Sequence, residues 1–409
     1  MGEVHDLTLP YSSIHPATFI VLAGVSAALH IGKLPPALPA LQQALDVSLV
    51  QSAFLLSMVQ LAGMTLGLAV GLSADSLGLR RCMIFGLVVL STASALGGFA
   101  LGFRTLLALR ALEGLGFLLA VMPAPALIRR CVKGGQLNAR LGWWGTYMPL
   151  GSATALLLGP IAIAWMNWQG WWWLLAAVTG IASLTVWRFV PGDNTVIPDA
   201  GSIVAAPLWT ERLRLTLTSP GPWLVSLSFA VYSSQWIAVV GFLPTVYLQA
   251  GLASGLTGAL TASVALANVF GNIAAGRLLQ RGFSARRLLH IGFVCMAFGS
   301  VGAFAQWHGE GLSIPLRFAS VLVFSAIGGL IPGTLFSMAV RLAPSDGTVS
   351  TTVGYMQQWS ALGQFAGPPL VAWIAAWAGG WQWTWVVTAA LCALGAVLAH
   401  LMAQNLQHK

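Results

Sequence analysis

The chain has 409 residues, 57% of them hydrophobic and only 7% charged, with a mean hydropathy of +0.82 and a net charge of +9. A soluble domain carries roughly 25% charged residues, so a soluble fold is excluded. Apolar runs of about twenty residues also exclude an outer-membrane barrel, whose strands alternate in segments of about ten.

In chain order, residues 1–16 hold Glu3, His5, Asp6 and His15 but no Lys or Arg. That is the wrong start for a cleaved secretory signal, so the first apolar segment is expected to be retained. Stretches long enough to span a bilayer follow at 16–39, 50–72, 82–102, 104–128, 139–163 and 170–190. After a polar interruption they recur at 221–247, 257–279, 288–306, 313–340, 349–376 and 382–404. The segments 313–340 and 349–376 are long enough that tilt or a proline break is expected in each. The expectation is an all-α integral membrane protein of twelve transmembrane helices in two pseudo-symmetric six-helix bundles. The bundles would be 1–190 and 220–409, joined by a linker, 191–219, that includes a short interfacial helix.

Ionisable residues inside spans are expensive and mark function. Span one carries His30 and Lys33, and span four carries Arg110 and Glu113. Counted from the outer ends near Ala40 and Arg104, Lys33 and Arg110 both lie roughly 9 Å deep, which makes a shared solute site plausible. Lys33 could instead snorkel outward past Pro35-Pro36. Glu113 follows Arg110 by three positions and shares its helix face. The two form either a structural ion pair or a coupling site in which Glu113 carries the proton.

Further along, Tyr147 on span five, Gln235 and Trp236 on span seven, and Tyr355, Gln358 and Trp359 on span eleven offer polar and aromatic groups for a solute. Arg317 on span ten enters from the outer side. With Lys33 it would leave the outer cavity positive, favouring an anionic or zwitterionic solute. Asn268 and Asn272 read as interhelical hydrogen bonders. Trp165, Trp168, Trp171, Trp381 and Trp385 read as interfacial belts. Cys82, Cys131, Cys295 and Cys392 are scattered, with no spacing for a metal or a disulfide, and no cofactor is expected.

The basic residues set the topology. Fifteen of nineteen fall on one side: Arg80, Arg81, Arg129, Arg130, Lys133, Arg140, Arg188, Arg212, Arg214, Arg277, Arg281, Arg286, Arg287, Arg341 and Lys409. The loops opposite hold Arg104 alone. By the positive-inside rule both termini and the linker are cytoplasmic, in a multi-pass protein of the cell inner membrane.

The halves also repeat. Gly71-Leu-Ser-Ala-Asp75-Ser-Leu-Gly78-Leu-Arg80-Arg81 is echoed by Gly276-Arg-Leu-Leu-Gln-Arg281-Gly-Phe-Ser-Ala-Arg286-Arg287. Gly159-Pro160 recurs as Gly367-Pro368, and Gly170-Trp171 as Gly380-Trp381.

The 71–81 segment resembles the signature between the second and third helices of the major facilitator superfamily, including the acid, both glycines and both arginines. Arg110-Ala-Leu-Glu113-Gly114 resembles that superfamily's fourth-helix signature, and Leu34 to Gln42 (LPPALPALQ) resembles its cyanate and nitroimidazole transporter branch. The likeness implies a secondary active transporter working by alternating access, through symport or antiport with protons. It would act as a monomer in the lipid bilayer on a small-molecule solute, with no nucleic acid partner. Gly71, Asp75, Gly78, Arg80 and Arg81 would form its cytoplasmic gate. Asp75 would accept charge-assisted hydrogen bonds in one state and release them in the other. The alternatives are a proton-driven exporter of drugs or small metabolites and, from another class, a non-transporting membrane sensor. An enzyme is not expected, since no His, Asp and Cys cluster marks one interface.

Overall fold

The computed structural model describes residues 15–132, 140, 143–193, 209–307 and 310–407, and only the backbone of 71–77, 346, 406 and 407. The first half holds α1 (Pro16–Gly32), α2 (Leu34–Leu45), α3 (Leu49–Met58), α4 (Leu61–Leu77), α5 (Leu79–Gly97), α6 (Phe103–Val121), α7 (Ala124–Cys131) and α8 (Tyr147–Phe189). A short helix, α9 (Trp209–Thr218), precedes the second half, where the sequence predicts an interfacial helix. Then come α10 (Pro220–Gln249), α11 (Ser254–Gln280), α12 (Ala285–Phe304) and the small hairpin β1 (Gln306–Trp307) and β2 (Glu310–Gly311). The chain continues as α13 (Ile314–Gly328), α14 (Leu330–Leu342), α15 (Val349–Ala378) and α16 (Thr384–Gln407). The predicted linker residues 194–208 lie outside the described residues.

Local chemistry sets these boundaries. Pro16 and Pro220 open α1 and α10 in the first turn, where a missing N–H is not needed. Ser48 and Gln51 form a reciprocal capping box at the start of α3. A break at Lys33, just before Pro35, separates α1 from α2, yet together they make one 30-residue crossing. Gly329 divides α13 from α14, the break expected in 313–340. By contrast, α15 runs unbroken for 30 residues through Pro368 and Pro369.

Ten helical segments among the described residues are long and apolar enough to cross a membrane. One of them, α8, has 43 residues and breaks at Met166 and Asn167, where Asn167 takes φ 61°. Before the break Gly159 lies against Pro36; after it Trp171 donates to the Lys33 carbonyl, and Phe189 stacks on Phe19 near the start of α1. The chain has therefore turned back, as the gap predicted between 163 and 170 requires. Since α15 is also long enough to span, the architecture is an all-α membrane fold compatible with twelve crossings.

Large apolar side chains on the outside, among them Phe85, Trp165, Phe270, Phe298 and Trp377, present a surface suited to lipid. Within the first half, a Cβ on Gly86 would fall 2.4 Å from the Ala120 nitrogen, so α5 and α6 touch backbone to backbone. Between the halves, Gly258 meets Pro160 and Gly241 meets Leu56. Along α4 and α15, Gln60 donates to Gln364 Oε1 at 3.0 Å and Gln358 donates to the Met64 carbonyl at 2.8 Å.

Candidate functional site

Four ionisable side chains meet inside the first half, all with zero exposure: His30, Lys33, Arg110 and Glu113. Their convergence follows from helical spacing. His30 and Lys33 are three apart at the end of α1, and Arg110 and Glu113 are three apart on α6. Lys33 Nζ lies 2.5 Å from Glu113 Oε1, 3.0 Å from Ser94 Oγ, 3.3 Å from His30 Nδ1 and 4.5 Å from the centre of the Trp172 ring. Glu113 Oε2 pairs with Arg110 Nη1. On the far side of the imidazole, His30 Nε2 is 2.8 Å from Thr179 Oγ1.

The helix breaks contribute directly to this cluster. Carbonyls in the last turn of a helix lack intrahelical partners. Arg110 takes two of them, donating from Nη1 to the His30 carbonyl at the end of α1 and from Nε to the Leu55 carbonyl at the end of α3. A cation at helix C-termini is favourably placed. The cluster thus holds two cations and one carboxylate, and Arg110 Nη2 is buried without a hydrogen-bond partner among the described residues.

Lys33 does not snorkel; its ammonium points into the bundle, because Glu113 and Ser94 offer better partners than a climb past Pro35. Trp168 and Trp171 are not belt residues either, being 4% and 2% exposed. Trp165 does stand 90% exposed. The sequence reading missed Ser94, Thr179, Trp172 and the Leu55 carbonyl. A lone hydroxyl in an apolar run carries no pattern, and Trp172 was hidden within a run read as interfacial.

The other predicted site residues are dispersed. Tyr147 stacks on Trp144 at 4.2 Å beside Gly24. Gln235 is turned into the second half, between the Val231 carbonyl and Cys392, and Trp236 donates to Ser325 Oγ. Tyr355 and Trp359 pack edge-on with Trp223 at 5.2 and 5.4 Å, while Gln358 bonds across to the first half. Arg317 lies at the far end of the second half, against Gly311 of the hairpin, not beside Lys33. Asn268 is an interhelical bonder as read, donating to Tyr232 Oη and the Ser325 carbonyl.

At the face where α1 and α10 begin, only the backbone of Gly71 and Asp75 is described. Gly78 takes φ 87°, a conformation that favours glycine. Beside it sits a carboxylate the sequence reading treated only as linker: Asp193 accepts from the Arg80 and Arg81 backbone N–H groups at 3.0 and 3.2 Å. Arg130 Nη1 is 3.7 Å away, and Arg80 also donates from its side chain to the Trp187 carbonyl. An anion at the first turn of α5 is well placed. Its signal was available, since acids are scarce, ten in the whole chain, and this one lies in an arginine-rich face. Among the described residues no cluster of three or more His, Cys, Asp or Glu could hold a metal.

The chain as a whole is similar to known proteins. The family model described as Major Facilitator Superfamily matches residues 16–256 and 224–406. A sodium-dependent phosphate transport protein of Arabidopsis thaliana chloroplasts is 28% identical over 277 residues, 62% of this chain. The match spans only 52% of that relative's length. The cyanate transport protein CynX of Escherichia coli is 21% identical over 346 residues, covering 83% of this chain and 84% of that protein. A crystal structure of a bacterial homologue of the human lysosomal transporter Spinster, inward-facing and occupied, superposes with a TM-score of 0.79 at 15% identity. That superposition covers 95% of this chain and 96% of the other.

Proposed function

The chain belongs to the Major Facilitator Superfamily, and from that premise we propose that it couples movement of a small anionic or zwitterionic organic solute to protons. As a member it is a multi-pass membrane transporter. In the proposed cycle the halves 1–190 and 220–409 rock about a central path, with the linker and both termini on the cytoplasmic side of the inner membrane. One observation carries the reading: Glu113 is held by Lys33 and Arg110 in a space with no exposure to water.

Three ions buried together are costly unless each is paired. Protonating Glu113 would release both cations, and Arg110 would then loosen its hold on the ends of α1 and α3. Proton exchange at this point is therefore tied to the helices that must move. The surplus cation, with the spare Nη2 of Arg110, supports a preference for anions. The aromatic and amide groups at Tyr147, Tyr355, Gln358 and Trp359 are the candidates for the solute path.

Proteoliposomes with an imposed pH gradient and a panel of small organic anions and cations test this. The wild type should accumulate an anion along the gradient. Glu113→Gln should lose that accumulation yet still exchange preloaded solute for external solute. Gradient-driven uptake unchanged in Glu113→Gln would overturn the coupling role, and uptake confined to cations would overturn the substrate class.

A further inference from the structure

The two halves build similar corners at the face where α1 and α10 begin, but only one receives a carboxylate. In the first half, Gly78 at φ 87° leads into α5 with arginines at its second and third positions, Arg80 and Arg81. In the second, Gly282 at φ 86° precedes α12, which carries Arg286 and Arg287 at the same positions and is capped by Ser284, whose hydroxyl accepts from the Arg287 N–H at 3.3 Å. Arg130 near the end of α7 has its counterpart in Arg341 near the end of α14. The first-half corner receives the Asp193 carboxylate.

The register that relates Gly170-Trp171 to Gly380-Trp381 sets Asp193 opposite Ala403. There α16 continues as a regular helix, whereas α8 has ended at Phe189, and Ala403 lines the second-half corner. This corner holds a cavity of about 640 Å³, whose lining includes Ser284, Arg286, Arg341, Met338, Met402 and Ala403. Met338 and Met402 are 1% and 2% exposed, so this wall is apolar and closed. Neither Arg286 nor Arg341 has a carboxylate partner among the described residues. The helices on either side carry exposed apolar side chains, Ile291 and Val294 on α12 and Leu394 and Val397 on α16. The cavity therefore opens between lipid-facing surfaces, at the depth where the spans end.

We propose that this corner binds the headgroup of an anionic phospholipid. The phosphate would be bonded by the Arg286 and Arg341 side chains, and the acyl chains would lie along the exposed apolar side chains Ile291, Val294, Leu394 and Val397. A free inorganic anion would use the arginines but leave those side chains without a partner. Basic pockets between membrane helices suit such headgroups. The inference is independent of the coupling role of Glu113.

Native mass spectrometry of the full chain, released from bilayers of equal phosphatidylglycerol and phosphatidylcholine, tests it. The wild type should retain phosphatidylglycerol in preference to phosphatidylcholine. Arg286→Ala/Arg341→Ala should weaken that preference by roughly 30-fold, and Arg104→Ala, at the opposite face, should not. Ala403→Asp leaves both arginines in place and should abolish the preference by supplying the carboxylate internally. Undiminished retention in Ala403→Asp, or equal loss in Arg104→Ala, would overturn the site. Displacement of the lipid by excess inorganic phosphate alone would overturn the lipid as its ligand.

Discussion

Among the described residues the first half buries ions between its helices, Lys33, Arg110 and Glu113 with His30 beside them, as well as neutral groups such as Ser94 and Thr179. In the second half the buried polar groups among those residues are neutral: Asn268 reaches Tyr232 and Ser325, Gln235 sits between Val231 and Cys392, and Trp236 donates to Ser325. Both arrangements tie helices together inside an apolar bundle. An amide network, though, presents the same charge at every accessible pH, whereas a carboxylate between two cations changes its charge when a proton arrives. Under the proposed coupling role, the first half would respond to protons and the second would supply the frame it moves against.

The sharpest way to break that comparison is to remove one member from each network. Glu113→Ala leaves Lys33 and Arg110 as two buried cations without a counter-charge and should cost about 3–5 kcal/mol. Asn268→Ala should cost only about 0.6–1.7 kcal/mol, the range for hydrogen bonds between membrane helices. Thermal melts in detergent compare the two, and equal losses would erase the distinction.

Next in size is a replacement that removes charge while keeping volume. Lys33→Met/Arg110→Met/Glu113→Leu in one chain should lie within about 1–4 kcal/mol of the wild type, on the stable side, while gradient-driven uptake disappears. Retained uptake would show that the charges serve the fold alone.

A smaller effect is expected at Asp193. Asp193→Asn keeps the shape but weakens the hold on the first turn of α5 by about 0.3–1 kcal/mol, read as a lower melting temperature. No shift would mean that Arg80 and Arg81 are held by other contacts.

The smallest concerns the starts of the two halves. His15 caps α1 by accepting from the Ala17 N–H at 3.1 Å, whereas Ser219 makes no such bond at α10. Partial burial, and then Arg140, hold the His15 pKa below its ordinary value of 6.5. The folded state thus binds this proton less readily than the unfolded chain, and its contribution is lost as pH falls through and below 6.5. Melts across that window should show a slope that His15→Asn removes; a slope unchanged in the variant would assign it elsewhere.

Much of this was legible in the sequence. The crossings, the turn between 163 and 170, and the pairing of Arg110 with Glu113 all follow from length, apolarity and helical spacing. The rotation of each helix does not. A helix apolar on every side has no stripe from which to read its buried face, so Trp168 and Trp171 were assigned to the interface and Arg317 to the same cavity as Lys33. Asp193 escaped for a different reason, since the N–H groups it accepts from are more than a hundred positions away and a Pro-Gly-Asp turn looks the same whether or not it folds back.

The backbone contact between α5 and α6 at Gly86 has a consequence for measuring the transport cycle. Two helices with no room for a side chain between them cannot slide without separating, so they form a single lever. Spin labels on the outer faces of α5 and α6 should keep one fixed spacing through turnover. A label on either, paired with one on α15, should report the full stroke.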